Sequence, residues 1–148
     1  LVGSEMCIRD SQLKNQILIC KAGFMTEEII ALRNYAHLGD AVWEIFVREY
    51  VIFKTSNSKI LHKMTTDRVN ASFQAEMLHF ISEDLTEEEH ELARRGRNLP
   101  IPVARRAIQN VYRPSTAFEV LIGYWYLHDK ERLNFFYNKI KNETEYFT

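Results

Sequence analysis

The chain is poor in the residues that build loop-rich, stapled or membrane-embedded proteins. Its 148 residues include five glycines and three prolines, too few for the frequent turns of an all-β fold. The two cysteines, Cys7 and Cys20, have neither metal-ligand spacing nor the pattern of a disulfide framework, which argues against a zinc module or a cystine-stapled scaffold. No apolar run approaches the length of a membrane span, and the run at 17–20 is too short and poorly flanked for a signal peptide. The expected setting is therefore reducing and cytoplasmic. With 46% hydrophobic residues there is enough apolar material for one well-buried domain, and the length leaves no room for a second of similar size.

What is present is segregated charge. The formal net charge is only −1, yet Glu83, Asp84, Glu87, Glu88, Glu89 and Glu91 form an acidic block. Residues 92–118 follow with six arginines (Arg94, Arg95, Arg97, Arg105, Arg106, Arg113) and no acid. Such a run is either a solvated helix end favoured by the helix dipole or a surface for a nucleic-acid backbone.

Apolar residues recur at helical rather than alternating spacing, so the expectation is an all-α single domain spanning 26–142. Residues 1–11 (LVGSEMCIRDS) resemble a translated sequencing-adapter tail, 12–25 read as an N-terminal extension, and 143–148 as a fraying end. Thr26 caps one long helix, or two joined near Gly39, running to about Phe53. Asn57 or Ser58 caps the next, with a break expected around Thr65-Thr66. Thr86 to Glu89 forms a capping box for a helix to about Arg95, with Gly96 as its C-terminal cap. The prolines of LPIP demand extended backbone, and a short helix is expected from Arg105 to Val111. Pro114-Ser115-Thr116 opens the last major helix, which ends at His128-Asp129, and a closing helix carries Leu133 to Ile140. The aromatics Trp43, Tyr124, Trp125 and Tyr126 fall at helical spacing that suits core or a dimer interface, not a base-stacking platform. His79, His90 and His128 share no spacing and read as incidental.

Two stretches place a carboxylate inside an apolar helical run: LGDAVWE, with Asp40, and FEVLIGY, with Glu119. Burying a charged carboxylate is costly unless a cation or hydrogen-bond donor meets it, so the two acids look like halves of one metal site. The bland alternatives are a helix cap or ion pair for Asp40, and a salt bridge from Glu119 to Arg33 or Arg48. His37, Asp40, Glu44 and Arg48 form a polar ridge on one helix face, and Glu44 can pair with Arg48.

HLGDAVWEIFVRE resembles the first ribonuclease III signature and STAFEVLIGYWYL the second. The intervening LHK, VNASFQAEML, LTEEE and RRGRN are similar in order and spacing to the Mini-ribonuclease III branch, which has the nuclease domain without a double-stranded-RNA-binding domain. The resemblance implies an all-helical, homodimeric endoribonuclease that cuts double-stranded RNA with Mg2+. It also implies a role in ribosomal RNA precursor processing, notably 23S rRNA maturation, with a ribosomal protein or the pre-ribosome as further partner. Asp40 and Glu119 become the catalytic, metal-binding acids. His62, Lys63, Gln74, Arg94, Arg95, Arg97 and Asn98 become RNA contacts, and the location is the cytoplasm or a plastid stroma. Ribonuclease III proper has acids where this chain has Ala36 and Thr116, so the number of metals per site stays open. Ser72 stands where relatives often carry lysine, and LPIPVARR stands where they carry a Gly/Lys-rich loop. The rival reading is a non-catalytic helical RNA-binding or ribosome-associated domain.

Overall fold

The computed structural model describes residues 27–147, with side chains from residue 31 onward. The adapter-like tail, the extension and the Thr26 cap lie outside the described residues. Every regular element among those described is helical. We number the α-helices α1 (Glu27–Val51), α2 (Ser58–Val69), α3 (Ala71–Ile81), α4 (Glu87–Arg97), α5 (Gln109–His128) and α6 (Lys130–Glu143). Single 3-10 turns at Ser82–Asp84 and Glu145–Phe147 and a longer one at Val103–Ile108 complete the order. None of the helices among the described residues is long and apolar enough to cross a membrane.

Several starts and stops follow local chemistry. Asn57 caps α2 by accepting from the N–H groups of Lys59 and Ile60. The expected break at Thr65-Thr66 is absent: α2 runs on to Val69, with both hydroxyls donating back to carbonyls one turn earlier, Leu61 O and His62 O. The break comes instead at Asn70, which ends α2 and caps α3 through Phe73 N–H. The capping box at Thr86 and Glu89 forms as read. Gly96 is not the cap of α4: Asn98 is, and Gly96 lies inside the helix, where its missing side chain admits α5. Pro114 does not open α5 but sits within it, five residues after the start at Gln109.

From Leu32 onward the chain makes one compact unit. Helix α5 is its axis: Ala117, Phe118, Val120, Leu121, Ile122, Gly123 and Trp125 are all buried. Trp43, fully buried, meets Phe118 edge-on at 5.0 Å and donates its indole N–H to Arg68 O. Both tryptophans are core residues, whereas Tyr126 is exposed. The expected fraying after residue 142 is corrected as well. Phe147 is 4% exposed among Phe46, Tyr50 and Phe73, and the Arg68 guanidinium holds the turn through Tyr146 O at 2.7 and 2.9 Å. An aromatic anchor at the penultimate residue outweighs the polarity of the sequence before it.

Glu89 ties α4, α5 and α6 together. Its carboxylate accepts from Trp125 Nε1 at 2.9 Å and from Arg132 Nε and Nη2 at 2.8 and 2.7 Å. Burial would raise the Glu89 pKa, but the Arg132 guanidinium, the Thr86 backbone N–H and the Trp125 indole together hold it below the usual value. A carboxylate with a lowered folded pKa stabilises above its unfolded pKa and loses that contribution as pH falls through the folded one. Glu89→Gln is therefore expected to cost roughly 1–2 kcal/mol at neutral pH, since Arg132, 23% exposed and still bonded to Asp84 O, loses its counter-charge. The cost should shrink in acid. Urea denaturation of both proteins at neutral and acid pH checks this, and an equal cost at both would contradict it.

Candidate metal-binding active site

The site is made by two helices that touch backbone to backbone. Glycine inside a helix costs roughly 1 kcal/mol relative to alanine, so its presence in the middle of α1 and α5 needs a reason. A Cβ added to Gly39 would lie 1.8 Å from the carbonyl oxygen of Glu119 and 2.9 Å from the nitrogen of Gly123. One added to Gly123 would lie 2.0 Å from the carbonyl oxygen of Tyr35. These two glycines are the crossing point of α1 and α5. Asp40 follows Gly39 directly and Glu119 sits one turn before Gly123, so the same contact that demands glycine brings the two acids together.

The acids meet in unlike surroundings. Asp40 is exposed, whereas Glu119 is mostly enclosed by the apolar residues of its own helix and its neighbours. Burial, and next the charge of Asp40, push the Glu119 pKa up to about 8, and the amide of Gln74 pulls it partly back. Neither arginine that could have neutralised it does so. Arg33 donates to Pro100 O at 2.8 Å, and Arg48 bonds Glu44 through Nε at 2.8 Å and through Nη2. The salt-bridge alternative for Glu119 thus falls away, while the Glu44–Arg48 pair forms as the spacing allowed.

Gln74 is corrected in place. It was expected among the RNA contacts, but it is 2% exposed on α3, with its amide facing Glu119. Its Nε2 lacks a hydrogen-bond partner, so the approach to the carboxyl falls short of a formed bond. A buried unsatisfied amide costs about 1–3 kcal/mol.

The donor set fits a hard cation. Two carboxylates repel each other when nothing lies between them, and the charge of Asp40 adds to burial in raising the Glu119 pKa. No group of three His, Cys, Asp or Glu suited to a metal occurs among the described residues. Magnesium keeps several waters and needs only one or two carboxylates, so a pair of acids can suffice.

The remaining expected contacts lie on other surfaces. His62 and Lys63 are exposed on α2, and Lys63 pairs with Asp67 at 2.6 Å. At the end of α4, Arg97 and Asn98 are exposed and Arg95 is partly buried, while Arg94 forms a two-point ion pair with Glu91 at 2.6 and 2.7 Å. Arg113 is a brace, donating to Arg97 O at 2.6 Å. Together with the Arg33 bond to Pro100 O it holds the turn that carries Arg97 and Asn98. His128 is not idle, since its Nε2 lies 2.7 Å from the Tyr35 hydroxyl and joins α1 to the end of α5. The signal for the helix crossing was present in the sequence as two glycines in otherwise strong helical runs.

This fold is that of a ribonuclease III domain, and the Ribonuclease III domain family model matches residues 33–130. The chain is 44% identical over 104 residues to Mini-ribonuclease 3 of Gloeobacter violaceus, covering 70% of this chain and 77% of that one. It is 36% identical over 117 residues to Mini-ribonuclease 3 of a Thermoanaerobacter species, covering 78% and 80%. A crystal structure of a Fusobacterium nucleatum protein superposes with a TM-score of 0.64 at 33% identity, covering 72% of this chain and 87% of that one. The chain belongs to the Mini-ribonuclease III family, as an endoribonuclease of the ribonuclease III type.

Proposed function

We propose that the protein is a magnesium-dependent homodimeric endoribonuclease that cleaves double-stranded RNA and matures ribosomal RNA precursors, including 23S rRNA. The observation that carries this reading is the close crossing at Gly39 and Gly123, which sets Asp40 beside a largely enclosed Glu119 whose carboxyl pKa is pushed up to about 8. Asp40 and Glu119 would hold the cation, Glu119 as its carboxylate with the proton released to solvent. Magnesium supplies a centre that lowers the pKa of water and offsets charge on the scissile phosphate. The crossing keeps both acids on rigid helices, so little reorganisation is needed when the substrate seats.

Duplex RNA is read mainly through its backbone and 2′-hydroxyls. Arg95, Arg97 and Asn98 at the end of α4 serve that role, with His62 and Lys63 on α2 as a second contact. Arg94 contributes less, because Glu91 already engages it. A two-fold homodimer would present two sites to the two strands. The proposed location is the cytoplasm or a plastid stroma, with the pre-ribosome as the place of action.

Cleavage of a long labelled RNA duplex by the full chain, with magnesium or with EDTA, tests the reading against single-stranded RNA as control. Magnesium-dependent cutting of the duplex alone supports it. Duplex binding without cutting would favour a non-catalytic RNA-binding domain. Arg97→Ala is expected to weaken duplex binding whatever the sequence and to lower the salt slope by about one. An unchanged slope would remove Arg97 from the interface.

A further inference from the structure

Gln74 combines features that a core filler would not have. It is among the most deeply buried side chains, and its Nε2 is the one buried side-chain nitrogen or oxygen without a hydrogen-bond partner among the described residues. It faces the acid that the proposed function places on the cation. The helix bearing it is fixed at both ends of the relevant stretch: Asn70 caps its start, and Phe73, Met77 and Leu78 are buried in the core. An amide held so firmly cannot turn to solvent for a partner. A methionine or leucine would fill the same space without an orphan donor, so the position favours a donor over an apolar side chain.

We infer that Gln74 is the positioning residue of Glu119, its Nε2–H closing a hydrogen bond to the carboxylate when Glu119 holds the cation. This rests on the metal-site reading above. The choice of an amide has a chemical reason. A lysine or arginine at this place would neutralise Glu119 and compete with the cation, whereas a neutral donor orients the carboxylate and leaves its charge available. Because Gln74 is buried, it acts through Glu119 and does not touch RNA.

The test compares the full-length wild type with Gln74→Met, Gln74→Leu and Glu119→Gln. Manganese dissociation constants come from calorimetry, melting temperatures from the metal-free proteins, and kcat and KM from a duplex RNA with magnesium. In Gln74→Met the metal-free melting temperature should hold or rise, while manganese binding weakens about ten- to a hundredfold. kcat should fall, and KM for the duplex should stay as in wild type. A folded Gln74→Met with wild-type manganese affinity would overturn the inference. So would a raised KM with kcat and manganese affinity intact, which would make Gln74 an RNA contact after all. If the methionine variant does not fold, the leucine variant must show the same loss of affinity. A wild type that binds manganese no better than Glu119→Gln is a different failure, since it overturns the metal reading itself.

Discussion

Glu119→Gln is expected to abolish cleavage and, in the same protein, to raise the stability of the metal-free fold at alkaline pH. Loss of a metal-binding acid removes several kcal/mol of transition-state stabilisation, at least about a thousandfold in rate. The stability gain follows from the sign of the Glu119 shift. Its carboxyl titrates at about 8 in the fold, against an ordinary value of 4.5, because burial and Asp40 disfavour the charged form. The folded state therefore holds a proton that the unfolded chain has released, and stability falls as pH rises from 4.5 towards 8. Glutamine cannot ionise and escapes this loss. The difference between the two proteins should be near zero in acid and grow to on the order of 4 kcal/mol above pH 8.

Magnesium should reverse the ranking. It stabilises wild type by binding the folded state, leaves Glu119→Gln unmoved, and displaces close to one proton at neutral pH. Thermal melts across pH with and without magnesium, and calorimetry in buffers of different ionisation enthalpy, read all three effects. A variant less stable than wild type at pH 8 without metal would show that Glu119 serves the fold rather than the site. Asp40→Asn should also abolish cleavage, while lowering the Glu119 pKa by removing the nearby charge.

The second large effect belongs to the crossing. Gly39→Ala and Gly123→Ala should each destabilise by on the order of 3 kcal/mol or more, although helix propensity alone favours alanine by about 1 kcal/mol. The clash decides the sign. The added methyl would fall 1.8 or 2.0 Å from a backbone carbonyl oxygen, and backbone cannot rotate aside as a side chain can. The two helices must separate, which opens the core and parts Asp40 from Glu119. A melting temperature lower by about 10 °C, or no soluble protein, is the expected outcome. Gly96→Ala is the internal control. Its nearest neighbours would be Ala117 Cα at 3.1 Å and a Val120 methyl at 3.3 Å, a squeeze of tenths of an ångström. It should cost visibly less, and equal damage at all three positions would mean that crossing distance is not what these glycines supply.

The sequence by itself determined what local rules govern. Helical spacing, the Asn57 cap, the Thr86–Glu89 box and the Asp129 break depend on neighbours within a turn, and each is found where it was read. The two acids were also legible as candidates, because each sits in an apolar run with a glycine nearby. Tertiary structure decided the rest, because those outcomes depend on partners far along the chain. Gly96 became a packing surface rather than a cap because α5 lies against it. Phe147 turned an apparently fraying end into core, and Arg113, one of the six arginines of the acid-free run, became a brace because Arg97 O lies within its reach. Gln74 moved from the RNA surface to the side of Glu119. The pKa of Glu119 was invisible in sequence for the same reason. Burial and an approaching charge are properties of three-dimensional neighbours, and only the contact of Gly39 with Gly123 brings Asp40 close enough to matter.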